Sequence, residues 1–170
     1  EQFTETIKYL PHSRLCFTPP SAELAPEVTD SPVIANGFLT FGCFQNASKI
    51  NDKMLALWSA ILQACPNSKL LLKNHALKDQ TSRQELLNRL RNADIPFERV
   101  ILEEAASREM YFKAYDKADL MLDTFPFPGG TTTCEAMWMG VPTLTMAGET
   151  LLERQGMSSS IPAGVLAPEP

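Results

Sequence analysis

Between Phe125 and Glu135 the sequence sets Gly129 and Gly130 beside Thr131, Thr132 and Thr133, with Cys134 and Glu135 following directly. That set suits anion chemistry. Glycines let backbone N–H groups approach a phosphate closely, and the first turn of a helix adds unpaired donors and a partial positive charge. The threonine hydroxyls can bond a phosphate oxygen or cap the helix. By its local pattern alone, the stretch reads equally as an ordinary Thr-capped helix after a Pro-Gly loop. His12 and His75 are the only imidazoles, and neither stands in a motif that assigns it general-base work; His75 reads as exposed in a polar loop. Lys73 closes an apolar run on what becomes the ligand side, with no role that its surroundings specify.

Composition limits the chemistry further. The chain has 170 residues, 44% of them hydrophobic and 21% charged, enough for one buried core. A formal charge of −5 gives no basic surface for a nucleic acid, so any phosphate must be met locally. Cys16, Cys43, Cys65 and Cys134 lack metal-ligand or paired spacing and mostly lie beside apolar residues. They read as reduced, buried thiols of a cytoplasmic protein with no metal. No apolar run approaches bilayer length, and the polar start Glu1-Gln2 is no signal peptide, so no membrane partner is expected.

The elements that must position the turn follow from periodicity. Residues 1–36, with Pro11, Pro19, Pro20, Pro26 and Pro32, read as an extended connector. Phe38–Phe44 reads as a first strand, and Asn51-Asp52 caps a helix ending before Pro66 with Leu55, Leu57, Trp58, Ile61 and Leu62 on one broad face. Lys69–Lys73 is a second strand, and Thr81-Ser82 opens a helix through about Asn92. Arg99–Glu103 is a third strand, Ser107 caps a helix to about Lys117, and Asp119–Asp123 is a fourth strand. The glycine turn then starts a helix closed by Gly140, Val141–Met146 is a fifth strand, and Gly148-Glu149-Thr150 opens a last helix through about Ser158. Trp58 and Trp138 read as core residues on apolar helix faces. Alternating strands and helices imply an α/β fold, a doubly wound parallel sheet of Rossmann-like type. In such sheets ligands sit beyond the carboxyl ends of the strands, which selects loops 43–50, 73–80, 103–107, 124–133 and 147–150. Neither GxGxxG after the first strand nor GxxxxGK[ST] is present, which disfavours nicotinamide dinucleotides and P-loop nucleotide hydrolysis.

The run Gly129 to Thr150, together with Leu15-Cys16-Phe17-Thr18-Pro19-Pro20 and Phe41 to Ile50, resembles the carboxyl-terminal half of the O-linked N-acetylglucosamine transferases, in their bacterial, tetratricopeptide-linked and Spindly-type branch. Several separated motifs match in order across nearly the whole chain. The resemblance implies one lobe of a GT-B glycosyltransferase: residues 1–36 connecting from a missing first lobe, and 37–170 forming a UDP-sugar-binding lobe whose carboxyl end could continue in a larger protein. It implies an inverting, metal-independent transfer of N-acetylglucosamine from UDP-N-acetylglucosamine to Ser or Thr hydroxyls, with the acceptor protein held through the first lobe and helical repeats. UDP-sugar would be a substrate, and no cofactor is implied. The family's candidate catalytic histidines belong to the first lobe. A non-catalytic nucleotide-binding module and an O-fucosyltransferase lobe using GDP-fucose remain open.

Residue by residue, the resemblance gives Lys49 the part of the catalytic lysine beside the departing diphosphate, where a fixed ammonium meets growing negative charge. Asn46 matches a polar position facing the phosphates. Gly129, Gly130, Thr131, Thr132 and Thr133 match the diphosphate turn, with glycine at Gly130 where some members carry histidine. Glu135 matches the acid that holds the ribose hydroxyls. The segment Ala105 to Tyr111 matches the frame of the uracil, with the Ala106 backbone reading the base edge, Arg108 reaching ribose or base, and Tyr111 stacking on the ring. Some members carry lysine and histidine at the last two positions, changes that keep charge and stacking. Glu149 and Thr150 could line the sugar pocket or cap the last helix.

Overall fold

A computed structural model describes residues 4–8, 10, 15–104 and 106–160. His12, Pro11, Ala105 and the Pro-rich end near Ala167 lie outside the described residues. The elements in order are α1 (Val33–Asn36), β1 (Thr40–Cys43), α2 (Asp52–Ala64), β2 (Lys69–Asn74), α3 (Gln80–Asn92), β3 (Val100–Glu104), α4 (Arg108–Lys113), β4 (Leu120–Leu122), α5 (Thr131–Trp138), β5 (Thr143–Leu144) and α6 (Gln155–Ser160). The strands form one sheet in the order β3-β2-β1-β4-β5, every neighbouring pair parallel.

Strand pleating divides the core in two, because successive side chains point to opposite faces. Leu70 and Leu72 of β2, with Phe41 and Cys43 of β1, pack under Met54, Leu55, Trp58 and Leu62 of α2 and Leu86 and Leu90 of α3. Leu71 and Met121 turn to the other face, against Phe112 of α4, Tyr115, and Ala136 of α5. Both faces are therefore covered, as a parallel sheet requires. Gly42 has no room for a side chain: a Cβ there would stand 2.6 Å from Met121 Sδ and 3.0 Å from Ala118 Cβ.

Several sequence expectations change. Residues 1–36 are not uniformly extended, since α1 forms at Val33–Asn36. Asp119 ties this segment to the sheet: its carboxylate accepts from the Ser31 hydroxyl, from Val33 N–H at 2.9 Å and from Thr40 N–H at 2.8 Å. Helix α3 is capped by Asp79, which accepts from Ser82 N–H at 2.7 Å, so it begins before Thr81. The fifth strand shrinks to Thr143–Leu144, an edge strand paired with β4. Thr150 and Glu153 form a reciprocal cap, Glu153 N–H to Thr150 Oγ1 at 3.2 Å and Thr150 N–H to Glu153 Oε2 at 2.9 Å, which holds the turn before α6.

Trp58 is buried, but Trp138 is 48% exposed and meets Phe17 at a ring-centroid distance of 6.4 Å. The buried stripe of α5 runs through Thr133, Glu135 and Ala136, which leaves Trp138 on the outer face. The cysteines are all free, but only Cys43 is fully buried and Cys16 is exposed. Among the described residues no helix is long and apolar enough to cross a membrane.

Candidate functional site

The chain leaves β1 toward β2 and β3 on one side and reaches β4 and β5 on the other, so the strand order reverses beside β1. At that point the loops after β1 and β4 diverge and open a crevice at their carboxyl ends. From the β1 side come residues 44–50. Asn46 caps a short 3-10 turn at Ala47–Lys49, its Oδ1 accepting from Ser48 N–H at 3.0 Å. The turn swings Lys49 across to the β4 loop, where its Nζ donates to Pro128 O at 3.2 Å and lies 3.9 Å from the centroid of the Phe127 ring. Burial lowers the pKa of this ammonium, while Asp123 and Cys43 act in the opposite sense.

From the β4 side comes the glycine turn. Its organiser is Asp123, the buried acid at the end of β4. Asp123 Oδ1 accepts from Thr124 N–H at 2.9 Å and Gly129 N–H at 2.7 Å, and Oδ2 accepts from Thr145 Oγ1 at 3.0 Å. Burial raises its pKa, and those bonds together with Lys49 moderate the rise. Gly129 N–H is therefore committed within the fold, which removes it as a direct phosphate donor. Gly129 is needed for space: a Cβ would collide with the Gln45 amide and the Thr133 hydroxyl.

Gly130 stands at the N-cap of α5 with no side-chain cap bond, so the threonines leave this helix start open. The Thr133 hydroxyl is buried and has no hydrogen-bond partner among the described residues. Three facts thus converge on one spot: an uncapped helix N-terminus, an unpartnered hydroxyl, and an ammonium held at Pro128, next to the turn. Lys49 reaches the residue just before this turn, Pro128, and not the side chains of Thr131, Thr132 or Thr133.

Beside this turn lies a cavity of about 540 Å3, lined by Phe44, Gln45, Asn46, Lys73, Asn74, His75, Ala106, Arg108 and Tyr111. Asn46, Ala106, Arg108 and Tyr111 therefore share one wall system, at the ends of β1, β2 and β3. Glu135 is only 2% exposed, and its partners depart from the sequence reading. Arg108 does not reach free into the cavity but forms an ion pair with Glu135 Oε1. Tyr111 donates its hydroxyl to Glu135 Oε2 at 2.9 Å, and its ring packs against Phe44 at 6.0 Å and Tyr115 at 5.6 Å. The Arg108 guanidinium lies 5.1 Å from the centroid of the same Tyr111 ring, which lines the cavity.

Four further residues were not assigned from sequence. Asp123 reads from sequence only as the end of the fourth strand, and Tyr115 only as part of the helix that runs to about Lys117. Gln45 is buried behind the turn, its carbonyl accepting from Asn74 Nδ2 at 2.6 Å. Lys73 is buried on the cavity wall, bonded to Glu103 Oε2 at 3.2 Å and Glu104 O at 3.0 Å. Burial raises the Glu103 pKa, but bonds from Lys117 and Lys73 outweigh it and hold the carboxyl below its usual range. Cys43 is no nucleophile, since burial pushes its thiol up to about 12. Glu149 is exposed, and Thr150 serves as the cap described above.

A family model described as glycosyl transferase family 41 matches residues 31–167. A barley protein named probable UDP-N-acetylglucosamine–peptide N-acetylglucosaminyltransferase SPINDLY is 41% identical over 159 residues, 93% of this chain and 17% of its own length. The Arabidopsis thaliana protein of the same name is 41% identical over 91% of this chain. Among solved structures, a Thermobaculum terrenum O-GlcNAc transferase variant superposes with a TM-score of 0.78 at 34% identity, covering 87% of this chain and 27% of that one. The chain spans only about a sixth of the curated relatives it matches, 17% in each of these two.

Proposed function

The chain belongs to glycosyl transferase family 41, and from that membership we propose that it is the nucleotide-sugar-binding lobe of a protein O-glycosyltransferase. Its donor in this reading is UDP-N-acetylglucosamine, and its acceptor is a Ser or Thr hydroxyl of a protein. The observation that carries the proposal is the open N-terminus of α5 lying beside Lys49 at the point where the strand order reverses.

The diphosphate lies against the N–H groups of Thr131, Thr132 and Thr133, the Thr133 hydroxyl and Lys49. The uridine occupies the cavity lined by Ala106, Arg108 and Tyr111, with Asn46 on the phosphate side. Glu135 takes the ribose hydroxyls. In the transfer, the acceptor oxygen forms a bond to the anomeric carbon as the bond from that carbon to the β-phosphate oxygen breaks. The acceptor proton passes to a base outside this chain, and the electron pair stays on the departing diphosphate. Lys49 and the α5 N–H groups stabilise that charge without having to reorganise, which is where fixed dipoles act most strongly. Residues 1–36 lead in from a first lobe that carries the acceptor, helical repeats bind the acceptor protein, and the whole works in the cytoplasm. By itself the chain binds donor without transferring.

Calorimetric titration of the chain with UDP, GDP and their sugars tests this reading. Binding of UDP and UDP-N-acetylglucosamine, weakened by Glu135→Ala, is the expected result. Preference for GDP would move the donor to a guanosine sugar, and no binding of any of them would overturn the proposal.

A further inference from the structure

Behind the ribose acid runs a chain of oxygens that the binding roles above do not use. Tyr111 Oη lies 2.9 Å from Glu135 Oε2 and 2.9 Å from Tyr115 Oη, and Tyr115 Oη lies 3.2 Å from the backbone carbonyl of Thr132. Thr132 is in the first turn of α5, the helix start that meets the diphosphate in the proposed site. Tyr115 itself is fully buried, at 0% exposure, between α4 and the sheet.

The protons in this chain can be counted. A phenol has one O–H to give, a carbonyl only accepts, and Glu135, in its ion pair with Arg108, only accepts. Three oxygen-to-oxygen contacts therefore share two protons. Burial raises the pKa of both phenols, so both protons stay in place. With Tyr111 donating to Glu135, Tyr115 can serve either Tyr111 or the Thr132 carbonyl, and one contact lacks a hydrogen.

A ribose hydroxyl that donates to Glu135 takes the place of the Tyr111 proton at that carboxylate. Tyr111 is then released to donate to Tyr115, and Tyr115 to the Thr132 carbonyl. The contact without a hydrogen is then the one between Tyr111 and Glu135, and the aligned hydrogen bonds from Tyr111 through Tyr115 to Thr132 strengthen one another in a low-dielectric interior. We propose that Tyr111 and Tyr115 form a hydrogen-bond relay through which ribose recognition at Glu135 tightens the diphosphate-binding turn at Thr132. The two tyrosines are thus positioning residues that couple two halves of one ligand. The relay rests on the reading of Glu135 as the ribose acid and extends it to residues that do not themselves hold the phosphates.

Tyr115→Phe and Tyr111→Phe keep the rings and remove one hydroxyl each. The whole chain and each variant would be titrated with UDP and GDP, and with the 2′,3′-dideoxy forms of both, after circular dichroism confirms that the variants fold. In the unsubstituted chain, loss of the ribose hydroxyls weakens the diphosphate by a measured factor. With the relay, that factor shrinks about threefold or more in each variant, the scale expected for residues acting in one network. If the factor is the same in all three chains within about twofold, the relay is wrong, while the nucleotide site stands because the diphosphates still bind. If neither diphosphate binds the unsubstituted chain, the site reading falls and the relay falls with it. Should Tyr115→Phe fail to fold, Tyr111→Phe, at a partly exposed position, decides the matter alone.

Discussion

Lys49 illustrates how one side chain inherits its chemistry from its surroundings. A lysine in water titrates near 10.4, but burial lowers this one while Asp123 partly restores it. In the proposed transfer the protonated form is the one that stabilises the leaving diphosphate, so raising the pH removes the useful charge. In the protein that carries this chain, kcat/KM should therefore fall on the alkaline side below the pH of an ordinary lysine. Lys49→Arg, which stays protonated, should move that limb upward; an unshifted limb would contradict the role. Asp123 has the complementary task. Asp123→Ala strands the buried N–H of Gly129 and that of Thr124, and each orphan costs about 1–3 kcal/mol. Urea unfolding should register that loss. The pH dependence has a definite sign: a carboxyl whose pKa is raised in the fold binds protons more readily folded than unfolded. Its contribution to stability therefore falls as pH rises from about 3.9 through the raised value. Asp123→Ala should remove that slope.

At the scale of elements, the glycine turn works because β4, the loop after β1 and α5 are interlocked. Asn51 caps α2 by accepting from Met54 N–H at 3.1 Å, and its amide also donates to Phe125 O at 2.7 Å. One residue thus starts a helix and anchors the loop that leads to the glycine turn. Gly129 closes the arrangement from the other side, where a side chain would meet Gln45 and Thr133. Gly129→Ala should displace the start of α5 and cost about 1–3 kcal/mol, as overpacking of a tight site does. The loss would appear in the denaturant midpoint, with UDP affinity falling in the same variant. An alanine tolerated at full stability and affinity would mean that the contact between Gln45 and the turn is not a constraint.

At the scale of the whole molecule, a doubly covered sheet supports a site that lies outside it. Trp58, 1% exposed, fills the space between α2 and the sheet on the face away from α5. Trp58→Ala should lose about 3–5 kcal/mol of folding stability, read by chemical denaturation, because the cavity it leaves cannot collapse under three layers. Ligand acts in the opposite direction. UDP at about 100 times its Kd should stabilise the folded chain by about 2.7 kcal/mol, visible as a rise in the midpoint, and Glu135→Ala should reduce that rise at a fixed UDP concentration.

Periodicity and turn chemistry, which are local, sufficed to read the alternating strands and helices, the Asn51 and Ser107 caps and the place of the glycine turn. The residues brought to the crevice were legible for the same reason: a parallel sheet sends every strand's carboxyl end to one edge, so Lys49, Ala106 and Gly130 had to converge there. Partnerships across the fold were not legible. Nothing in sequence spacing says that Arg108 and Tyr111 turn onto Glu135, that Asp123 takes the Gly129 N–H, or that Tyr115 reaches Thr132. Those contacts join residues 6 to 27 positions apart and depend on how α4 and α5 lie against one face of the sheet. Trp138 shows the same division: an apolar residue in a helix is read from sequence, but which stripe of that helix is buried is decided only when the helix packs.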